Sequence, residues 1–156
     1  MTPAINTAQK HKIPFQTHQY THDPAHDSYG KEAAEKLGIP EEQIFKTLVI
    51  QLDGDSRLAV AVVPVSSMLN MKLTAKAARA KKAAMADKKI VKRATGYILG
   101  GVSPLGQKKK LTTIIDASAN SFSTIYVSAG RRGLEIELQP ADLASITEAT
   151  FAQITQ

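Results

Sequence analysis

The chain has 156 residues, 43% hydrophobic and 22% charged, the makeup of one folded domain with its own core. Twenty Lys and Arg against fourteen Asp and Glu give a net charge of +6, which points to an anionic partner but does not bear on fold. The absence of Cys excludes disulfides, a thiolate nucleophile and cysteine-ligated zinc.

The start, Met1-Thr2-Pro3-Ala4-Ile5-Asn6, lacks the charged and apolar regions of a signal peptide. The longest mainly apolar stretch, Leu58 to Val65, falls far short of the roughly 20 residues that span a bilayer. A soluble cytoplasmic protein with no membrane partner is expected. Thr2-Pro3 reads as a cap followed by proline at the first helical position, opening a helix toward His11 that Pro14 stops. Phe15 to His22 alternates in a strand-like way and ends at Asp23-Pro24. Ser28 caps a helix through Lys36, with Gly38 at its stop.

Phe45 to Leu52 reads as a strand, Asp53-Gly54-Asp55 as a hairpin turn, and Arg57 to Val65 as a returning strand buried on both faces. Leu69, Leu73, Ala77 and Ala80 recur at helical spacing, and Asp87 caps a further helix ended by Gly96. Beyond a Gly- and Pro-bearing loop, Thr112–Asp116, Ser123–Val127 and Leu134–Leu138 read as short strands. Pro140 opens a last helix with Leu143 and Ile146 as its buried stripe. Helices mixed with hairpin-joined strands predict a mixed α/β fold: one domain over residues 1–156, with a curved, barrel-like mixed sheet flanked by helices.

Several constellations could carry chemistry. His18, His22 and His26 are spaced by four, but Asp23-Pro24 interrupts regular geometry and no acidic pair completes a site. Three solvent-exposed histidines and no metal are expected. Gly100-Gly101-Val102-Ser103-Pro104-Leu105-Gly106-Gln107 would let a ligand approach the backbone, and a plain turn-rich loop fits the pattern equally well. Lys46, at the start of an apolar strand, is either a solvated edge lysine or a cation facing a cleft. Tyr20 is either a strand aromatic or a hydroxyl donor in a pocket. Cations cluster at Lys81-Lys82, Lys88-Lys89, Lys92-Arg93, Lys108-Lys109-Lys110 and Arg131-Arg132. With 5% aromatics they favour phosphate contacts over base stacking.

Three stretches in unbroken order resemble the YbaK/EbsC family of bacterial trans-editing proteins, the Cys-tRNA(Pro)/Cys-tRNA(Cys) deacylases. They are Phe45-Lys46-Thr47-Leu48, Thr95 to Lys108 with its Gly-Gly-x-Ser-Pro-x-Gly-Gln run, and Arg132 to Leu138. Thr2-Pro3-Ala4, Thr113 to Asp116 and Ile125 to Ser128 extend the likeness over nearly the whole chain. The resemblance implies a strongly curved mixed sheet, aminoacyl-tRNA (tRNA(Pro), and tRNA(Cys) as a second form) and prolyl-tRNA synthetase as partners, no DNA and no cofactor. It puts the essential lysine at Lys46 and pocket residues at Tyr20, Tyr29, Thr47, Gly100, Gly101, Ser128 and Glu135. Tyr29 stands where relatives often have Phe, and Glu135 where they often have Asp. The implied chemistry is substrate-assisted: the cysteine thiol attacks its own ester carbonyl, so the protein needs no nucleophile. Two alternatives are an editing deacylase for another ester such as Ala-tRNA(Pro), using water, and a non-catalytic tRNA- or synthetase-binding module.

Overall fold

The computed structural model describes residues 1–26, 28–54 and 57–156. Helix α1 (Pro3–Lys10) begins where the Thr2 hydroxyl accepts the Ile5 N–H at 3.2 Å, and strand β1 (Phe15–Gln19) follows. Helix α2 (Tyr29–Leu37) ends at Gly38, whose φ of 69° puts it in the left-handed region that glycine adopts freely. Strands β2 (Phe45–Leu52) and β3 (Arg57–Pro64) form an antiparallel hairpin in register from Phe45↔Pro64 to Leu52↔Arg57. Asp53 and Gly54 at its turn have φ of 50° and 92°; Asp55, the third residue expected there, lies outside the described residues.

Helix α3 (Met71–Ala77) starts two residues after Leu69, because the Asn70 side chain accepts the Leu73 N–H at 2.9 Å and so sets the cap. Its fully buried residues are Thr74 and Ala75, while Leu69, Ala77 and Ala80 of the expected stripe are partly buried against the core. Strand β4 (Ala83–Met85) and helix α4 (Lys88–Thr95) come next, the helix capped by Asp87 and ended by Gly96 at φ 83°. Strands β5 (Thr112–Asp116), β6 (Ile125–Arg131) and β7 (Leu134–Leu138), helix α5 (Pro140–Thr147) and strand β8 (Thr150–Ala152) complete the chain. Strand β6 runs four residues past Val127, carried by a register shift between Ser128 and Arg131.

The strands form two sheets. One is mixed, in the order β4-β2-β3-β5-β8, with β3, β5 and β8 parallel; the other, β1-β7-β6, is antiparallel. A parallel bridge from Ile44 to Tyr126 joins them at one corner. Among the described strands the expected barrel-like sheet does not close into a barrel: two sheets share one core. The mixed α/β class holds. Strand β3 shows why: Val60 and Val62 point into the core between the sheets with Ile125, Val127 and Ile136, while Ala59, Ala61 and Val63 face a second cluster under α3. It is buried on both faces because β2 and β5 flank it and apolar layers cover both sides. No helix among the described residues is long and apolar enough to cross a membrane.

Candidate active site

A cleft of about 660 Å³ opens at the corner where the two sheets meet. Strand β2 supplies its floor. Val49 accepts the Ala86 N–H and Asp53 donates to Lys82, so odd-numbered β2 residues direct their backbone polar groups toward the β4 side. Strand β4 pairs only with Ile50 to Leu52, and the Thr47 N–H and C=O therefore aim past its end, toward the cleft. The Thr47 hydroxyl is buried and has no hydrogen-bond partner among the described residues. A buried hydroxyl in this state carries an unmet desolvation cost of about 1–3 kcal/mol, which a ligand's polar group would offset.

Lys46, the preceding residue on the strand, also lines the cleft; it is half-buried, and its ammonium forms no ion pair among the described residues. Burial, followed by the neighbouring charge of Lys31, pulls its pKa below the usual lysine value. Both lysines line the cleft. So does the first turn of α2: Ser28, Tyr29, Gly30 and Lys31. The Ser28 side chain makes no capping bond there, so it satisfies none of the N–H groups of the first turn. Gly30 is required by packing, since a Cβ would sit 2.4 Å from a Val65 methyl.

The opposite wall comes from the antiparallel sheet. Ser128 and Glu135 are cross-strand partners on β6 and β7, and both reach the cleft with Tyr20. Glu135 is 7% exposed, and its carboxyl has no hydrogen bond or ion pair among the described residues. Burial drives its pKa up to about 8. The Tyr20 phenol is likewise pushed up to about 12, by burial first and by Glu135 second.

Gly100 forms the lip. Its φ is 89°, and a Cβ there would lie 2.5 Å from the Arg132 Nε and 2.8 Å from the Tyr29 ring. Glycine is the residue that fits both constraints. The Arg132 guanidinium carbon sits 3.6 Å from the centre of the Tyr29 ring, and its Nη1 lies 3.0 Å from His22 Nε2. Arginine only donates, so Nε2 accepts and the His22 proton sits on Nδ1, 2.6 Å from Glu32 Oε1. Glu32 is fully buried and also accepts the Asp23 N–H at 2.7 Å and the Lys36 ammonium at 3.2 Å. Burial alone would raise its pKa, but these donors outweigh it and hold it at about 2.

The cleft therefore gathers Tyr20, Tyr29, Lys46, Thr47, Gly100, Ser128 and Glu135. Gly101 is excluded: it is buried against the β6–β7 hairpin, where a Cβ would lie 2.9 Å from the Arg131 Cα. Much of the glycine-rich run is also structural. The Ser103 hydroxyl accepts the Leu105 N–H, Gln107 donates to the Ser103 carbonyl, and Gly106 packs on the Pro3 backbone. The histidines also differ from expectation: each is partly shielded and paired, His18 with Glu137 at 2.9 Å, His22 with Glu32, and His26 with Glu35 at 3.3 Å. These partners lie 9 to 119 residues away in sequence, beyond the reach of local pattern. No group of three or more potential metal ligands occurs among the described residues. Sequence reasoning missed Lys31, Ser66, Ser67, Met68 and Leu99 as cleft residues. Lys31, in the first turn after a cap, was the one with a readable signal.

Comparison with known proteins places the chain among relatives. The aminoacyl-tRNA editing domain family matches residues 22–146. The chain is 40% identical over 154 residues, 99% of its length and 93% of the relative's, to a protein of Enterococcus faecalis (strain ATCC 700802 / V583) named "Putative Cys-tRNA(Pro)/Cys-tRNA(Cys) deacylase EbsC". It is 28% identical, over 80% of its length and 76% of the relative's, to the uncharacterized protein YwhH of Bacillus subtilis (strain 168). Among solved structures, hypothetical protein APE2540 aligns over 99% of both chains with a TM-score of 0.87 at 24% identity. A "putative trans-editing enzyme for prolyl tRNA synthetase" aligns over 100% of this chain and 99% of its own with a TM-score of 0.83 at 20% identity. These two likenesses speak to fold. With the family pattern matching residues 22–146 and a relative at 40% identity over nearly the full length, the chain belongs to the aminoacyl-tRNA editing domain family.

Proposed function

We propose that the protein is a trans-editing deacylase that clears cysteine from mischarged Cys-tRNA(Pro), with Cys-tRNA(Cys) as a second substrate. The observation that carries the reading is the cleft lining: a half-buried Lys46 ammonium with no ion pair and a Thr47 hydroxyl with no hydrogen-bond partner among the described residues both line one cleft of an editing-family chain. An aminoacyl ester is already activated, and a bound cysteinyl ester brings its own nucleophile. Its sulfur bonds to the ester carbonyl carbon, the bond to the ribose oxygen breaks, and the thiol proton finishes on that oxygen. The product is a four-membered thiolactone, which water opens to free cysteine.

The protein contributes position and charge. Holding an intramolecular attack in line can supply up to about 7–11 kcal/mol. Lys46 stabilises the oxyanion that develops at the carbonyl, Thr47 and Ser128 hydrogen-bond the aminoacyl group, and the Gly100 backbone closes over it. Glu135, neutral near pH 7 with its pKa at about 8, and Tyr20 complete a pocket wall without competing negative charge. In this reading the single domain over residues 1–156 works in the cytoplasm on aminoacyl-tRNA alongside prolyl-tRNA synthetase, which supplies tRNA choice.

The test is deacylation of Cys-, Ser-, Ala- and Pro-tRNA(Pro) and of Cys-tRNA(Cys) by the purified protein. Cysteinyl esters are turned over, seryl esters much more slowly, and alanyl and prolyl esters remain intact. Lys46→Ala lowers cysteinyl turnover by roughly 10²–10³-fold with unchanged circular dichroism. Rapid release of alanine would replace the thiol mechanism with attack by water, and full activity in Lys46→Ala would remove the lysine from the chemistry.

A further inference from the structure

Charge is distributed very unevenly along this chain. Residues 88–110 contain seven of the twenty Lys and Arg and none of the fourteen Asp and Glu, so the rest of the molecule carries one net negative charge. The fold gathers these cations onto one ridge. Helix α4 buries Val91, Ala94 and Thr95 and exposes Lys88, Lys89, Lys92 and Arg93 on its outer side. The returning chain is tied to the end of that helix: Lys108 N–H donates to the Thr95 carbonyl at 3.1 Å, and Lys109 N–H to Ala94 at 3.0 Å. Lys108, Lys109 and Lys110 thereby extend the ridge.

Lys110 pairs with Glu148, but the other six cations have no acidic partner among the described residues. The nearest acid in sequence, Asp87, is engaged as the helix cap, accepting the Lys89 and Ile90 N–H groups at 2.8 and 3.1 Å. A solvated surface that served only solubility would intersperse both signs. The ridge also has a fixed relation to the cleft. Two residues separate Gly96, at the end of α4, from Leu99 at the cleft lip, at most about 10 Å of chain.

We infer that this ridge, made of Lys88, Lys89, Lys92, Arg93, Lys108 and Lys109, is a docking surface for the phosphate backbone of an RNA duplex whose 3′ end enters the cleft. The inference rests on the proposed deacylase reading for the orientation of the RNA. Apart from Tyr97, which is buried with its hydroxyl on the Leu105 carbonyl, the segment 88–110 carries no aromatic residue. Contacts of this kind track phosphates and do not read bases. The ridge supplies affinity that is independent of stem sequence, and choice among tRNAs must come from elsewhere.

The experiment uses an uncharged RNA hairpin, a short duplex stem with a single-stranded 3′ tail, in two versions with unrelated stem sequences. Binding is measured by fluorescence anisotropy across a salt series. Removing three ridge cations (Lys92→Ala, Lys108→Ala and Lys109→Ala together) weakens binding of both hairpins at least tenfold at low salt. The variant also lowers the slope of log affinity against log salt by about 2–3. A control lacking three other exposed lysines (Lys10→Ala, Lys12→Ala and Lys76→Ala together) changes affinity less than threefold. Turnover of a cysteine methyl ester, which is too small to reach the ridge, is the same in wild type and ridge variant.

Unchanged hairpin affinity in the ridge variant, equal loss in the control, or loss confined to one stem sequence would each overturn the proposal. Loss of binding to the single-stranded tail alone, with the duplex contributing nothing, would overturn it too. If wild type binds the hairpins as described but hydrolyses no cysteine ester, free or tRNA-linked, then the deacylase reading fails while the RNA surface stands.

Discussion

Two glutamates are buried within this small domain and live under opposite electrostatic conditions. Glu32, on the inner face of α2, receives three donors and is held ionised with a pKa at about 2. Glu135, on β7, lines the cleft with no partner among the described residues and is pushed up to about 8. Both are shielded from solvent, so burial does not separate them. The difference is donors. Around Glu32 the structure provides every hydrogen bond an ionised carboxylate needs, the usual condition for a charge that serves architecture. Around Glu135 it leaves room for something else to provide them, and unmet polar groups of this kind mark functional clefts.

The sharpest test of the contrast is the pH dependence of stability. A carboxyl whose folded pKa is raised binds its proton more tightly in the folded state. Glu135 therefore makes the protein lose stability as pH rises from about 4.5 to about 8, by as much as ~1.4 kcal/mol per pH unit. Glu135→Gln removes this gradient, and the gap between variant and wild-type denaturation midpoints should widen steadily across that window. A constant gap would show that the carboxyl is already satisfied in the folded protein.

Glu32 has the opposite sign. Its depressed pKa contributes stability that is complete above about 4.5 and is lost as pH falls toward 2. Glu32→Gln should cost ~2 kcal/mol at pH 7, since it weakens bonds to the His22 ring and the Lys36 ammonium. Thermal melts would record a drop of roughly 4–8 °C, shrinking at acid pH where the wild type is itself protonated. A Glu32→Gln protein as stable as wild type at pH 7 would break the comparison from its other side.

The smallest expected effect lies between the two regions. His22 links Glu32 to Arg132, and Arg132 stacks on Tyr29 against the Gly100 lip. His22→Ala should cost only ~1 kcal/mol. Its signature is functional: a higher KM for the cysteinyl ester with kcat little changed, because the lip is loosened and the reacting groups stay in place. A fall in kcat with KM unaltered would instead put His22 in the chemistry.

Much of this architecture could be read from the chain because local rules dominate at its element ends. Thr2-Pro3, Asp87 with Gly96, and the eight-residue β2 appear where capping and periodicity put them. Strands β4 and β8 escaped notice, since three residues carry no period and exist only because a neighbouring edge pairs with them. Lys46 illustrates the limit at the site. Alternation could not decide whether it faced water or a cleft, because that depends on where β4 stops and where the second sheet arrives. The residues that the family likeness points to line the cleft except Gly101, where tight backbone packing looks the same in sequence as a close approach to a ligand.

The parallel pairing of β3 with β5 has a consequence for how the site comes into being. Ala59 to Val62 meet Thr112 to Ile115, so 47 residues lie between β3, which ends at Pro64, and β5, which begins at Thr112. That excursion holds α3, β4, α4 and both ends of the cleft lip, including Ser66 and Gly100. Pairing across so long a connection forfeits chain entropy before any contact repays it. The hairpin that bears Lys46 is local and can assemble early, whereas its cavity exists only once the whole excursion has been sewn down. Nascent or partly unfolded chains would thus expose the lysine without being able to seat a substrate, and competence to edit arrives together with completion of the sheet.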